Sequence, residues 1–155
     1  TGLEVVIIRS PLVYGKGVKG NLASLIKLIK FGIPLPFSLI RNQRSLVGID
    51  NLIDLIFTCI SHPNAHGQTF LVSDDSDLST PDLIKSISHA MGFHVKLFPF
   101  PVQILKQLSI AIGKKNEINR LIKSLKVDIN HTKEKLNWKP PLNVIECMKR
   151  MFENK

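Results

Sequence analysis

The stretch EVVIIRSPLVYGKGVKGN, residues 4–21, is the part of the sequence that most clearly indicates the fold. Its first part, EVVIIRS, is a nearly continuous apolar run, the pattern of a strand covered on both faces in a parallel sheet. A glycine-rich loop follows, and ligands of open parallel sheets bind outside the carboxyl ends of strands. Gly15, Gly17 and Gly20 permit close backbone approach, and the helix start after Gly20 offers free amide groups to an anion. The stretch predicts either a ligand loop or a crossover that only turns the chain.

Strands and helices alternate after this stretch, and helices dominate toward the C-terminus. Apolar spacing and start and stop signals predict Thr80 and Asp50 as helix caps, with Pro81 at the first helical position. The predicted strands are residues 4–10, 45–49, 68–73 and 94–101, and the predicted helices are residues 22–29, 51–61, 80–91, 102–112, 117–124, 128–136 and 143–152. The helix at 51–61 is apolar on nearly every side and is expected to be buried. The pattern predicts an α/β layer with a mostly helical C-terminal cap.

Composition predicts one soluble globular domain. The chain has 155 residues, of which 44% are hydrophobic and 21% charged, and its apolar runs are too short to cross a bilayer. No signal peptide opens it, so a cytoplasmic protein without membrane contact is expected. Cys59 and Cys147 lie in apolar helical patterns and are expected to be buried free thiols, and no metal site is expected from the histidine spacing. Asp128 is predicted to cap a helix and Trp138 to anchor the core.

The net charge of +9 is unevenly placed. The C-terminal lysines fall mostly on the polar sides of predicted helices, so solvated helix faces explain them better than a nucleic-acid interface does. The N-terminal excess is more informative, because Lys16, Lys19, Arg41 and Arg44 fall in predicted loops. These four cations predict an anionic ligand.

Three motifs together carry a family resemblance. They are R-x-P-x-V-Y-G at residues 9–15, N-x-R-S-x-V-x-x-D-N at 42–51 and L-x-W-x-P at 136–140. In this order they resemble the C-terminal half of the extended short-chain dehydrogenases/reductases, the NAD-dependent epimerase/dehydratase family. The likeness is nearest to the UDP-sugar 4-epimerases and 4-ketoreductases of polysaccharide biosynthesis. It covers essentially the whole chain.

The resemblance implies the C-terminal part of a Rossmann-type NAD(P)-binding fold plus a small, mostly helical substrate-binding subdomain. Residues 1–155 would be one substrate-binding portion, and the N-terminal dinucleotide-binding half would be absent. The complete enzyme would use NAD or NADP, act on UDP-glucose or a UDP-N-acetylhexosamine through a 4-keto sugar, and form a homodimer. Leu12 stands where many relatives have a sugar-binding asparagine, which leaves the sugar and the reaction open.

No catalytic residue is expected in this chain. The family seats NAD on a glycine fingerprint after its first strand and moves a proton with a Tyr-x-x-x-Lys pair. Neither is expected here, since Tyr14 has Val18 four positions later and is read as a packing residue. The chain alone is therefore predicted to be inactive. The alternatives are a stand-alone nucleotide-sugar-binding or interaction module and, from the charge, a nucleic-acid-binding domain.

By the resemblance, Ser10 and Pro11 would lie near the nicotinamide and the sugar, as cofactor-binding residues. The alternative for them is a plain turn. Asn21 and Leu22 match the head of a helix that meets the nucleotide diphosphate or the uracil. The alternative for Asn21 is a simple N-cap.

Arg44 matches an arginine that pairs with a diphosphate oxygen, a role that suits a planar guanidinium. The alternative is an ion pair with Asp50 or Asp54. Arg120 is the candidate for a second diphosphate arginine, and the alternative for it is a solvated helix position.

Overall fold

Short parallel strand pairs carry the sheet layer. The computed structural model describes residues 4–153. Its strands are β1 (Ile7–Arg9), β2 (Leu12–Tyr14), β3 (Leu46–Gly48) and β4 (Thr69–Leu71). Strand β1 pairs with β4 and β2 pairs with β3, both in parallel. The prediction of a parallel arrangement is therefore confirmed, while β2 was not among the predicted strands.

Pro11 explains why one apolar stretch becomes two strands. Proline has no backbone N–H to give to a strand ladder, and it also restricts the residue before it. The chain leaves the β4 ladder after Arg9 and joins the β3 ladder at Leu12. The predicted strand at 94–101 is reduced to a single bridge between Leu35 and Leu97.

Seven helices occur within the described residues. They are α1 (Asn21–Lys30), α2 (Ile49–Ser61), α3 (Thr80–Ala90), α4 (Val102–Ala111), α5 (Lys115–Ile122), α6 (Asn130–Leu136) and α7 (Val144–Phe152). All seven match predicted helices, with ends shifted by a few residues. None of them is long and apolar enough to cross a bilayer.

Two predicted helix caps are wrong by one or two positions. Gly48 occupies the N-cap of α2 because β3 runs directly into the helix, which leaves Asp50 in the first turn. Ser79 caps α3 by accepting a hydrogen bond from the Asp82 amide, so Thr80 lies inside the helix. A third predicted cap, Asp128, lies one position before Ile129, the N-cap of α6; its carboxylate accepts a hydrogen bond from the Asn130 amide (2.8 Å).

The buried side chains form two clusters. The larger one joins α1, α3 and α7 around residues such as Ile29 and Ile84. The smaller one lies between the strands, α2 and α6, where Phe70, Leu55 and Trp138 pack together. Trp138 is thus a core anchor, as predicted. Cys59 and Cys147 are both buried free thiols, which confirms that prediction too.

The outer face of α2 is exposed, which corrects the prediction that this helix is buried on every side. Phe57 is 68% exposed and Ile60 is 71% exposed. Ile7 of β1 is also 48% exposed, so this strand is not covered on both faces. Apolar side chains are therefore exposed on both α2 and β1 within the described residues, and large exposed apolar patches mark association sites.

We expect the chain to self-associate through this α2 face. Each apolar side chain buried at an interface stabilises it by about 1.5–3 kcal/mol, so the double change Phe57→Glu/Ile60→Glu should weaken association at least ~10-fold. Sedimentation at increasing concentration measures this. Ile110→Glu is the matched control, because Ile110 is a similarly exposed aliphatic residue on α4 (58%). A parent chain that stays monomeric at high concentration contradicts the expectation.

Candidate functional site

A cavity of about 220 Å³ lies between the start of α1 and the end of α5. Leucine side chains form much of its wall, and polar groups enter from four separate parts of the chain. The lining includes all four residues predicted to bind substrate: Asn21, Leu22, Arg44 and Arg120. The structure thus brings together positions that are far apart in the sequence.

The backbone on both sides of Arg44 is fixed by neighbouring segments. Arg44 exchanges two backbone hydrogen bonds with Leu78, each 2.9 Å long. On the other side the Leu125 amide donates to the Gln43 carbonyl (2.9 Å), and the Ser45 amide donates to the Leu125 carbonyl (2.8 Å). Arg44 therefore lies on a rigid backbone, and its side chain lines the cavity.

Arg44 has no acidic partner among the described residues, so the alternative of an ion pair with Asp50 or Asp54 is wrong. Asp50 pairs with Arg150 at 3.5 Å, and Asp54 accepts a hydrogen bond from the indole of Trp138 at 2.7 Å. Burial, and secondarily the charge of Arg120, lowers the pKa of the Arg44 guanidinium. Arginine nevertheless stays charged in proteins. Two neighbouring cations without a carboxylate make this cavity suited to an anion.

Two buried side-chain nitrogen atoms within residues 4–153 lack a hydrogen-bond partner, and both belong to residues that line this cavity. They are Nδ2 of Asn21 and Nε of Arg44. An unsatisfied buried donor costs about 1–3 kcal/mol, so such donors usually meet a ligand or water. Asn21 is the first residue of α1, after Gly20, and makes no capping hydrogen bond through its side chain. The alternative of a plain N-cap role for Asn21 is therefore wrong.

The glycine-rich loop belongs to the same cavity. Gly20 has a φ of 72°, a left-handed conformation that favours glycine, and it directs the chain into α1. Of the four cations predicted to attract an anion, Lys19 and Arg44 line the cavity, whereas Lys16 and Arg41 do not. Sequence reasoning singled out Thr80 only as a cap, yet it also lines the cavity.

The loop does not fit a dinucleotide. Residues 15–20 read GKGVKG, which has the spacing G-x-G-x-x-G between β2 and α1 and was not identified as such from the sequence. A dinucleotide fingerprint also needs an acidic residue about 20 positions on, for the ribose. No Asp or Glu occurs between Lys16 and Ile49. The loop therefore lacks the acidic residue of a dinucleotide fingerprint, and it suits the phosphate groups of another ligand better than NAD.

Ser10 and Pro11 lie at the junction of β1 and β2, outside the cavity lining. Ser10 is exposed and Pro11 is half-buried. The next residue, Leu12, does line the cavity. The cofactor contact assigned to Ser10 and Pro11 by resemblance stays a prediction.

Tyr14 anchors a buried polar network that sequence reasoning missed. Its hydroxyl donates to Oδ2 of Asp74 at 2.6 Å, and Oδ1 of Asp74 accepts from the Gly48 amide (2.9 Å) and Asn51 Nδ2 (2.7 Å). Burial, followed by the Asp74 charge, raises the pKa of Tyr14 far above its usual value. Tyr14 is therefore a structural residue, as predicted, and not an acid or base. Asp74 comes shortly after β4, and its place near the end of a strand was the only feature of the sequence that could have identified it as part of this network.

A larger cavity of about 550 Å³ opens beside Tyr14. Asp50 and Arg150 in its lining pair with each other at 3.5 Å, so their charges are compensated. The two residues whose side-chain donors lack partners, Asn21 and Arg44, line the smaller cavity instead. The smaller cavity, which is lined by Arg44 and Arg120, is therefore the candidate site.

We expect the Cys147 thiol to be unreactive in the folded chain. Burial, with a further contribution from the Asp74 carboxylate, raises its pKa from 9.0 to about 11. Because the unfolded chain ionises first as pH rises, the free energy of unfolding should fall between about pH 9 and 11. Thermal midpoints across this range should fall less steeply in Cys147→Ala. Rapid reaction of the native chain with a thiol reagent at pH 8 contradicts this.

Comparison with known proteins gives two curated relatives. A UDP-glucose 4-epimerase of Vibrio cholerae is 48% identical over 151 residues, which cover 97% of this chain and 46% of that protein. An uncharacterized protein of Sinorhizobium fredii is 25% identical over an alignment of 170 residues, which covers 97% of this chain and 47% of that protein. The chain spans about half the length of these relatives. No protein-family model matches it.

Solved structures share the fold at lower identity. A Thermotoga maritima UDP-glucose 4-epimerase with UDP-glucose superposes with a TM-score of 0.66 at 20% identity, covering 97% of this chain and 45% of that one. A Bacillus cereus UDP-glucuronic acid 4-epimerase in complex with NAD superposes with a TM-score of 0.68 at 17% identity, covering 96% of this chain and 42% of that one. A human epimerase family protein with NADPH superposes with a TM-score of 0.73 at 16% identity, covering 97% of this chain and 48% of that one. The predicted Rossmann-type α/β fold class is confirmed.

Proposed function

We propose that this chain, which corresponds to the C-terminal part of an NAD-dependent epimerase, supplies the nucleotide-sugar-binding part of a UDP-sugar 4-epimerase. The observation that carries the proposal is the cavity in which Arg44 and Arg120 lie together without a carboxylate. The 48% identity to a UDP-glucose 4-epimerase supports a UDP-hexose as its ligand.

Each lining residue has a chemical role in this proposal. Arg44 offers its unpaired Nε and its guanidinium fork to the diphosphate, where bidentate contacts are strong. Arg120 neutralises the second phosphate, and Asn21 Nδ2 donates to a phosphate or uracil oxygen. Leu22 and the other leucines pack against the apolar parts of the nucleoside. The chain binds and orients the substrate, and we assign no proton or hydride transfer to its residues.

NAD or NADP would be held by residues outside this chain and would accept and return a hydride at the sugar. In the chain itself, Ser10 and Pro11 stand at the carboxyl end of β1, where the nicotinamide end of the cofactor would approach. We favour epimerisation through a 4-keto sugar. Reduction of a 4-keto sugar is the second candidate reaction, because Leu12 stands at the position of the sugar-binding asparagine.

Calorimetric titration of UDP, UMP and uridine into the chain tests the proposal. Affinity should fall in that order, because each phosphate removed takes away a partner of an arginine. UDP binding should also weaken with added salt. Equal affinity for uridine and UDP, or no UDP binding, overturns the proposal. Strong binding of single-stranded DNA in the absence of UDP binding would favour a nucleic-acid-binding domain instead.

A further inference from the structure

Asn42 makes a concentrated set of buried hydrogen bonds beneath the candidate site. The residue is 4% exposed and lies two positions before Arg44. Its Nδ2, which carries two hydrogens, lies within hydrogen-bond distance of three acceptors: the Leu121 carbonyl (3.0 Å), the Lys123 carbonyl (3.1 Å) and Thr80 Oγ1 (3.1 Å). Its Oδ1 accepts from the Thr80 amide at 2.8 Å. One buried amide thus joins three separate segments of the chain.

These contacts fix the C-terminal end of α5. The last carbonyl groups of a helix have no partner within the helix, and Asn42 and the Thr80 hydroxyl satisfy that of Leu121 from outside. Helix α5 contains no fully buried residue, and it packs mainly against α4. Ile118, Leu121 and Ile122 are only partly buried against the larger cluster, so the polar attachment adds to these apolar contacts in setting the position of the helix end.

The attachment matters because α5 carries Arg120 into the cavity, next to Arg44. Arg44 is half-buried and Arg120 is exposed, and the charge of Arg120 disfavours the charged form of Arg44, so the two guanidinium groups repel each other. Without the Asn42 contacts, the end of α5 would be held only by its apolar contacts and by the Leu125 backbone pairing, and charge repulsion would favour separation of the two guanidinium groups. A ligand would then have to bring them together again, and the free energy needed would reduce its affinity.

We propose that Asn42 is the positioning residue of the anion site: it holds the end of α5 so that Arg120 stays beside Arg44 before the ligand arrives. Asn42 itself does not line the cavity and acts only through α5. The inference rests on the proposed function, since it assigns to Asn42 the preorganisation of the diphosphate site.

UDP titration into Asn42→Ala tests this. The dissociation constant should rise roughly 10-fold, within the range of couplings between residues of one network. The Arg120→Ala background gives the decisive comparison: there, Asn42→Ala should change UDP affinity less than about twofold, because no arginine remains to be positioned. Asn42→Ser, which keeps one donor, should have a smaller effect and carries the test if the alanine variant does not fold.

Asn51→Ala is the matched control, because Asn51 is a fully buried asparagine of the separate Asp74 network. It should lower the melting temperature and leave UDP affinity within twofold of the parent. The inference fails if Asn42→Ala affects UDP binding no more than Asn51→Ala, or equally with and without Arg120. A parent chain that binds no UDP refutes the proposed function, whereas a loss on Arg44→Ala without a loss on Asn42→Ala refutes this inference alone.

Discussion

Arg44→Ala should raise the UDP dissociation constant roughly 10- to 150-fold, because a charge-assisted contact is worth about 1.5–3 kcal/mol. Arg44→Lys should restore only part of the affinity, since a lysine cannot make a bidentate contact. Arg44 makes no ion pair and its Nε has no hydrogen-bond partner among the described residues, so no protein group competes with a ligand for its guanidinium. Calorimetric titration of both variants measures the effect.

The stability of the same variants separates binding from structure. Arg44 is partly buried beside Arg120 and has no carboxylate partner among the described residues, so its removal relieves repulsion. The melting temperature of Arg44→Ala should therefore equal or exceed that of the parent. Arg41→Ala is the control, because Arg41 is an exposed arginine outside the cavity lining. UDP affinity within twofold of the parent in Arg44→Ala would show that Arg44 is not a ligand contact.

The chain alone should show no epimerase turnover of UDP-glucose. The only tyrosine, Tyr14, is 1% exposed and donates its hydroxyl to Asp74, so it cannot exchange a proton with a sugar. The loop with glycine-fingerprint spacing lacks the acidic residue that a dinucleotide needs. Hydride and proton transfer would therefore both depend on residues outside the chain. A sensitive coupled assay with added NAD measures the turnover.

A chimera gives the positive counterpart of this result. The preceding part of the Vibrio cholerae epimerase, joined to this chain, should gain turnover of UDP-glucose, and Arg44→Ala in the chimera should mainly raise KM. The chimera should also cover the α2 face and remain monomeric or form a defined oligomer, unlike the chain alone. Turnover by the chain alone would refute the assignment of catalysis to the other part.

The helices and the parallel strands could be read from the sequence, because these features follow from residues close together in the chain. The leucines and isoleucines of α1 recur on one face, and Gly20 permits the left-handed turn that starts the helix. Pro11 ends one ladder because it lacks an amide hydrogen, yet the sequence did not indicate that the next three residues would join a second ladder. Which strand pairs with which depends on the segments that folding places side by side, and the residues of one strand do not specify its partner.

The site residues were identified individually by family resemblance, but only the tertiary structure shows that they meet. Asn21, Arg44 and Arg120 come from three segments that are brought together by the backbone pairing of Arg44 with Leu78 and Leu125. The same folding gives Asp50 and Asp54 to other partners, which leaves Arg44 without a carboxylate.

The amino-acid sequence by itself determined the helices, three of the four strands, the α/β class and the cationic character of the N-terminal loops. The tertiary structure decided which cations converge, that Asn42 holds α5 in place, and that one face of α2 stays exposed. The physical reason is range: helix periodicity and turn chemistry act over about four residues, whereas charge pairing and burial depend on segments that only folding brings into contact.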